Sequence, residues 1–281
     1  MRIEVDLKIG KYKSMAKPKT IIFSGYGLNS EEETKYAFEL AGAKADIIHI
    51  NDVIDGRYRL ADYQIAAFPG GFAYGDDTGS GNAYANKLRN NIWEELLTFL
   101  NRDTLLFGAC NGFQIMANLG LFPVRKEEYG VREIALMHNE SARYSDRWVD
   151  LQVVNTTSPW LKNITRFPAC VSHGEGKFYA NEKVLSLIVK KQMVALTYIA
   201  GEICAYQNLP TNPNGAVNDI AGIVSQNGRI LGLMPHPERS MFFTNLPHWP
   251  YLKEKLLREG KILPTYAPAL QIFKNAVEYY K

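Results

Sequence analysis

Thr104-Leu105-Leu106-Phe107-Gly108-Ala109-Cys110-Asn111-Gly112-Phe113-Gln114 runs from an apolar stretch, through two glycines and a cysteine, straight into a helical pattern. Thr104 to Phe107 predicts a strand, and FQIMANLG, from Phe113 to Gly120, predicts a helix. A strand that turns so abruptly into a helix has the geometry of a nucleophile elbow. Small residues on either side of Cys110 let the backbone turn sharply. The thiol is then presented at a helix N-terminus, where the dipole and free backbone N–H groups favour thiolate. Two readings of Cys110 stand at this point: a nucleophile, and a small buried hydrophobe, the usual fate of a free cysteine. Cys170 and Cys204 sit in strand-like apolar runs without flanking glycines, and the second reading is taken for them.

The same strand, loop, helix unit repeats upstream. Thr20 to Ser24 reads as a strand, and Ser30 followed by Glu31, Glu32 and Glu33 opens a helix that Gly42 closes. Asp46 to Ile50 and Gln64 to Phe68 read as further strands. The second of these enters a glycine-rich loop, Pro69 to Asp77. Leu88, Ile92, Leu96 and Leu100 then recur at helical spacing. This alternation predicts an α/β fold with a mostly parallel central sheet flanked by helices. Sites in such sheets gather at the carboxyl ends of strands, which singles out the loops Pro69 to Asp77 and Gly108 to Gln114. The second half predicts an antiparallel, strand-rich addition: WVDLQVV, ACVSH, VLSLIV, QMVALTY, EICAY, IAGIV and RILGLM, with a turn at Asn227-Gly228. Two helices are expected in the tail, at Tyr251 to Arg258 and Ala267 to Tyr280.

Composition narrows the function. The 281 residues are 46% hydrophobic and 22% charged, and no Pro/Gly/Ser-rich linker divides them, so one domain with extensions is expected. A net charge of +3 is too small a bias to argue for nucleic acid or an anionic membrane surface. The basic stretch Lys11 to Lys19 is read as a solvated connection. The three cysteines include no CxxC pair, which leaves neither a structural zinc site nor a secreted disulfide framework and fits a reducing cytoplasm. The opening MRIEVDLKIGKYKSMAK lacks the apolar core of a signal peptide, and no run is long and apolar enough to span a bilayer. The glycine-rich stretch to Gly81 lacks the phosphate-loop pattern G-x-x-x-x-G-K-[ST].

A cysteine hydrolase needs a base, and the base needs something to hold it. Of the five histidines, His49 lies in an apolar strand and reads as structural, while His138 and His248 show no partner. His173, in Ser172-His173-Gly174-Glu175-Gly176, belongs to a candidate loop. His236 stands between Pro235 and Pro237, just after the strand-like RILGL, with Glu238 two residues on. In an extended segment those two side chains share a face, so the carboxylate would fix the imidazole tautomer and stabilise its charge.

Cys110 in GACNGFQ, with His236 and Glu238 in PHPER, resembles the class I, or triad, glutamine amidotransferases. FPGGFAYGDD (68–77), CNGFQIMANLGL (110–121), SHGEGKFYA (172–180), NPNGAVNDIAGI (212–223) and MPHPERS (234–240) narrow the likeness to the glutaminase subunits of phosphoribosylformylglycinamidine synthases. HINDVIDGRYRLADYQ (49–64) also matches. The likeness covers Lys19 to Arg239 in the correct order. It departs at the termini, which are longer than usual, and at GYGLNS (25–30), where the family has a variant of PGTNCD.

The resemblance implies a flavodoxin-like amidotransferase domain over 19–240, an N-terminal extension over 1–18, and a C-terminal helical extension, 241–281, packing on the same domain. It implies a thioester mechanism with Cys110 as nucleophile, His236 as base and Glu238 as its orienter. The oxyanion donors would be the backbone amides of Gly71 and Asn111. Gln114, His173, Gly174 and Glu175 would line the substrate, L-glutamine. A plain turn remains the alternative for Gly70-Gly71, a structural role for His173, and a tight turn for Asn212 to Gly215, which would otherwise shape the cleft or a docking surface. No metal or organic cofactor is implied for this chain. ATP and magnesium would belong to a partner synthetase, accompanied by a small accessory subunit. Two rivals stand beside this reading: a related Cys-elbow peptidase or deglycase, and a catalytically inactive regulatory subunit. The first usually draws its histidine from close after the cysteine, and here none follows Cys110 until His138.

Overall fold

The computed structural model describes residues 16–125, 128–155 and 157–281. Most of the N-terminal extension, and with it most of the basic stretch 11–19, lies outside the described residues. The described strands are β1 (Lys19–Ser24), β2 (Lys44–His49), β3 (Ile65–Phe68), β4 (Leu105–Ala109), β5 (Ala135–Met137), β6 (Ser145–Val153), β7 (Arg166–His173), β8 (Lys177–Tyr179), β9 (Val194–Ile199), β10 (Ile220–Val224) and β11 (Ile230–Leu233). The helices are α1 (Glu31–Ala41), α2 (Ile50–Ile54), α3 (Asn82–Asn101), α4 (Asn111–Leu119), α5 (Glu182–Lys190), α6 (Glu202–Gln207), α7 (Trp249–Arg258) and α8 (Leu270–Glu278).

One nine-stranded sheet runs β2-β1-β3-β4-β11-β10-β9-β6-β7. Its first five strands are parallel. From β10 onward every pairing is antiparallel. β5 and β8 form a separate antiparallel pair. Apart from the edge strand β2, the parallel strands are buried along almost their whole length, as expected where helices cover both faces. The tail supplies part of that cover. On α8, Phe273 sits 5.1 Å from Phe38 of α1 and 5.4 Å from Phe107 of β4, ring centre to ring centre. No described helix is long and apolar enough to cross a membrane.

Three details differ from the sequence reading. VLSLIV is not a strand but the body of α5, with Asn181 accepting the Val184 N–H as its cap. Five of the six residues of VLSLIV are apolar, with Ser186 alone between them, which hides the period; only Val184 and Ile188, one helical turn apart, are fully buried. EICAY is likewise helical, as α6, so Cys204 stands on a helix. Its first turn is held by Asp150 of β6, whose carboxylate accepts the Cys204 N–H at 3.0 Å. Ser30 precedes α1, but its side chain does not cap the helix; its hydroxyl takes a hydrogen bond from Arg239 at 2.8 Å instead.

The consequence for the site is one of adjacency. β3, β4 and β11 are neighbouring parallel strands, with Phe68 beside Gly108 and Leu233 beside Ala109. Their carboxyl ends therefore open on one edge of the sheet. The glycine-rich loop, the cysteine turn and the Met234 to Arg239 segment all begin there.

Candidate active site

Cys110 is the single residue between β4 and α4. Its backbone adopts φ 49°, ψ −109°, a conformation that side chains disfavour and that persists only where the surroundings impose it. They do so here on two sides. The Cys110 N–H donates to the carbonyl of Leu233 at 2.8 Å. A Cβ built on Gly112 would lie 1.9 Å from the carbonyl oxygen of Phe68, so no other residue fits without moving β3. The thiol, in a residue 4% exposed, lies 3.6 Å from the carbonyl of Ser172 at the end of β7.

His236 is buried, and its Nδ1 meets Glu238 Oε1 at 2.5 Å. The two side chains converge through a short 3-10 turn, Pro237–Arg239, rather than across an extended strand as the spacing had suggested. Proline at the first position of that turn brings residue 238 back under the ring. The segment is pinned from three directions: the His236 N–H donates to Cys170 at 2.9 Å, Arg239 reaches Ser30, and Arg239 pairs with Glu33 at 3.4 Å. Gly70 closes the other side of the ring, since a Cβ there would stand 2.5 Å from the imidazole Cε1. The remaining ring nitrogen, Nε2, has no hydrogen-bond partner among the described residues. Burial opposes the charged ring, but the Glu238 carboxylate, and after it Cys110, outweigh burial and push His236 up to about 10. A ring that favours its charged form takes up a thiol's proton, and thiolate beside imidazolium is the pairing in which cysteine acts as a nucleophile.

The backbone amides of Gly71 and Asn111 face no acceptor among the described residues. Gly71 forms an antiparallel bridge with Leu28, flanked by bonds from Phe72 N to Gly27 O at 2.8 Å and from Asn29 N to Gly70 O at 3.1 Å. In a pair bonded on both flanks, the N–H of the central residue points away from its partner strand. Asn111 is the first residue of α4, where the N–H has no intrahelical acceptor.

A family model described as a CobB/CobQ-like glutamine amidotransferase domain matches residues 17–280. The chain is 48% identical over 265 residues to the phosphoribosylformylglycinamidine synthase subunit PurQ of Methanococcus maripaludis, covering 94% of this chain and 97% of that one. It is 39% identical to the subunit of the same name from Dehalococcoides mccartyi, over 94% of this chain and 98% of that one.

The chain belongs to the glutamine amidotransferases.

Within that family it groups with the glutaminase subunits of phosphoribosylformylglycinamidine synthase. Among solved structures, a chain in the structure of PurLQS from Thermotoga maritima superposes with a TM-score of 0.69 at 25% identity, covering 94% of this chain and all of that one. The family match runs past Arg239, where the sequence motifs stop, and takes in the tail helices.

The other cysteines of this amidotransferase are poor nucleophiles. Burial and then the nearby Glu238 charge push Cys170 up to about 12, and burial raises Cys204. The remaining sequence-predicted residues form the wall behind the cleft. Gln114 donates to the Glu175 carbonyl at 2.5 Å and accepts from the Asn111 carboxamide at 2.8 Å. His173 is buried, with Nδ1 3.1 Å from Asn139 Oδ1 and Nε2 3.4 Å from Asn214 Nδ2. Burial, and then the charge of His236, push its ring down to about 3, so it stays neutral. Asn214 belongs to the Asn212 to Gly215 turn and also donates to the Gly176 carbonyl at 2.8 Å, so that turn holds the His173 loop in place. Gly174 accepts from the Asn139 N–H at 2.9 Å. The Glu175 carboxylate takes the Ser80 N–H at 3.1 Å and lies 3.6 Å from His138. His49 caps α2, accepting the Asn51 N–H at 3.1 Å, in keeping with its structural reading.

Two residues had no signal in the sequence. Tyr144 shares a hydrogen bond with the Ser172 hydroxyl at 2.9 Å, beside the thiol's own contact, and stacks on Phe72 at 6.0 Å. These two exposed rings meet beside the cysteine turn, one in the loop between β5 and β6 and one on the glycine-rich loop. The side chain of Asn111 is the other, taken up below. Neither belongs to a motif whose spacing encodes its contacts; both act across the fold.

Proposed function

We propose that this amidotransferase hydrolyses L-glutamine through Cys110 and delivers the ammonia to a synthetase that makes formylglycinamidine ribonucleotide in purine biosynthesis. The observation that carries the reading is the convergence of Cys110, His236 and Glu238 at the carboxyl ends of two adjacent strands, with free backbone amides opposite. The Cys110 thiolate attacks the carboxamide carbon, forming a C–S bond and an oxyanion that the Gly71 and Asn111 amides receive. The C–N bond breaks, and ammonia leaves with a proton from His236. A water molecule then gives a proton to His236 and attacks the thioester. The C–S bond breaks, glutamate departs, and the thiol is restored. Glu238 holds the ring through both steps.

Gln114, Gly174 and Glu175 line the amino-acid end of glutamine, and His173 supports that wall as a neutral, fully bonded residue. The partner is the synthetase subunit, joined by a small accessory subunit; the relatives' shared name and the likeness to a chain of PurLQS support this. ATP and magnesium act on that partner, and this chain works through its own side chains and backbone amides. The assembly works in the cytoplasm.

Reconstitution with the synthetase tests the reading. Cys110→Ala is expected to abolish synthesis fed by glutamine and to leave synthesis fed by ammonium salts intact. Glutamine-fed synthesis that survives the substitution would remove Cys110 from the mechanism and favour a regulatory subunit.

A further inference from the structure

The loop carrying Gly71 is not held by the sheet. Past Ala73 it runs through three consecutive residues with positive φ, Tyr74 at 55°, Gly75 at 68° and Asp76 at 57°. Two of the three carry side chains, which rarely adopt such a conformation unless neighbours enforce it. Tyr74 is held by its N–H to the Tyr26 carbonyl at 2.7 Å and by stacking on the Tyr26 ring, and the two ends of the turn are bridged by the carboxamide of Asn111. Its Oδ1 accepts the Ala73 N–H at 3.0 Å, and its Nδ2 donates both to Asp76 Oδ1 at 3.2 Å and to Gln114 Oε1 at 2.8 Å. Three of its four bonding positions are used, with both donor hydrogens spent and one lone pair of Oδ1 filled. The group is fully buried.

The residue after the nucleophile thus does two separable things. Its backbone supplies one amide to the cleft, and its side chain grips the loop two residues beyond the other. We propose that Asn111, through this carboxamide, is a positioning residue that holds the Gly71 amide against the thiol, with Asp76 as the second anchor of the grip. This rests on the glutaminase reading and deepens it. Asp76 suits the part. It is half-buried and meets the Asn111 Nδ2 at 3.2 Å; burial raises its carboxyl, and its hydrogen bonds to Ser80 and Asn111 partly offset that rise.

Oxyanion stabilisation and thiol reactivity can be measured apart. Glutamine hydrolysis passes through a tetrahedral oxyanion; alkylation of Cys110 by iodoacetamide displaces iodide and builds none. Asn111→Leu keeps the backbone amide and removes the grip. In the complex with the synthetase, it is expected to lower kcat for glutamine hydrolysis by about 10²–10³, the loss typical of one oxyanion donor. KM is expected to change little. The alkylation rate at Cys110, read by peptide mass mapping, is expected to stay within about twofold, since the nucleophile and its base are untouched. Asp76→Gly, which removes the carboxyl and suits the positive φ of 57° there, is expected to give the same split with a loss on the order of tenfold, about the weight of one hydrogen bond to a charged group. Hydrolysis unchanged in both variants, or alkylation falling as far as hydrolysis, overturns the proposal. Failure of the underlying reading looks different: the wild-type complex itself would not hydrolyse glutamine.

Discussion

The two loops that meet at the cleft are built on opposite principles. The cysteine turn is locked by backbone: Cys110 hangs on the Leu233 carbonyl, and Gly112 is pressed against the Phe68 carbonyl, both parts of flanking strands. The glycine-rich loop, 70–81, touches the Gly25 to Asn29 segment on one side, and on the other is tied down by the side chains of Asn111 and Glu175. A backbone lock cannot be loosened without deforming the sheet. A side-chain tie can be broken singly, by a substitution or by a partner that competes for it. The nucleophile is therefore a fixed point, while the Gly71 donor, whose own flanks are backbone-bonded to Gly27 and Asn29, is adjustable through the side-chain ties of the loop beyond it. Damage at the first is expected to be near total, and at the second graded.

The widest separation is expected on the fixed side, within the triad. His236→Ala removes the group that moves both protons, a loss of about 10²–10⁴ in glutamine-dependent turnover. Glu238→Gln removes the ring's orienter but leaves an acceptor beside Nδ1, and is expected to cost less. Steady-state hydrolysis in the complex ranks the two. Equal and negligible losses would break the distinction between a locked catalytic side and an adjustable one, and would send the search for a base elsewhere.

Much of the locked side was legible in the sequence. β3 and β4 are apolar runs, and each leads into a turn whose glycines mark a close approach. G-A-C-N-G and P-H-P-E are local patterns, so their chemistry could be read along the chain. The adjustable side was not legible in the same way. Asn111 grips Ala73 and Asp76 across more than thirty positions, a contact that exists only once β3 and β4 lie side by side. The two misread helices have the same origin. The first turn of α6 is bonded to Asp150 on a distant strand, and the dense apolar run of α5 conceals a buried face that only its packing defines. Even His236 and Glu238, correctly paired, meet through a turn rather than an extended strand. Two residues of proline geometry reached the same end by a different path.

Charge offers a second contrast, between His236 and His173. Both rings are buried, but one is held charged by Glu238 and Cys110 and the other is kept neutral. For His236 the folded ring is pushed up to about 10 from an ordinary 6.5, so its charge contributes stability that is fully present below 6.5. That contribution is lost as pH rises toward and through 10. The thermal midpoint of the wild type is thus expected to exceed that of His236→Gln most at the acidic end of this window, with the gap closing as the pH climbs. A gap that holds constant or widens toward alkaline pH would mean that the ring is not held charged in the folded chain.

The smallest effect is expected at the outer tie of the adjustable loop. Glu175 reaches the loop with one carboxylate oxygen, which takes the Ser80 N–H at 3.1 Å. The other lies 3.6 Å from His138, whose side chain is 84% exposed. A pairing so open to water adds little, whereas the bond to Ser80 is sheltered. The two contributions can be told apart by shape-conserving substitution. Glu175→Gln keeps an oxygen for Ser80 and discards only the charge, and is expected to leave glutamine hydrolysis within about twofold of the wild type. Glu175→Ala discards both, and is expected to lower turnover by at most about tenfold, the weight of one ordinary hydrogen bond. Each should fall well short of Asn111→Leu, because Ser80 lies farther along the loop from Gly71 than Ala73 does. Turnover of the two Glu175 variants, measured beside Asn111→Leu in the same complex, gives the order. A Glu175→Ala loss as large as that of Asn111→Leu would show that the loop is held as one rigid piece, and that its two ends are not separately adjustable.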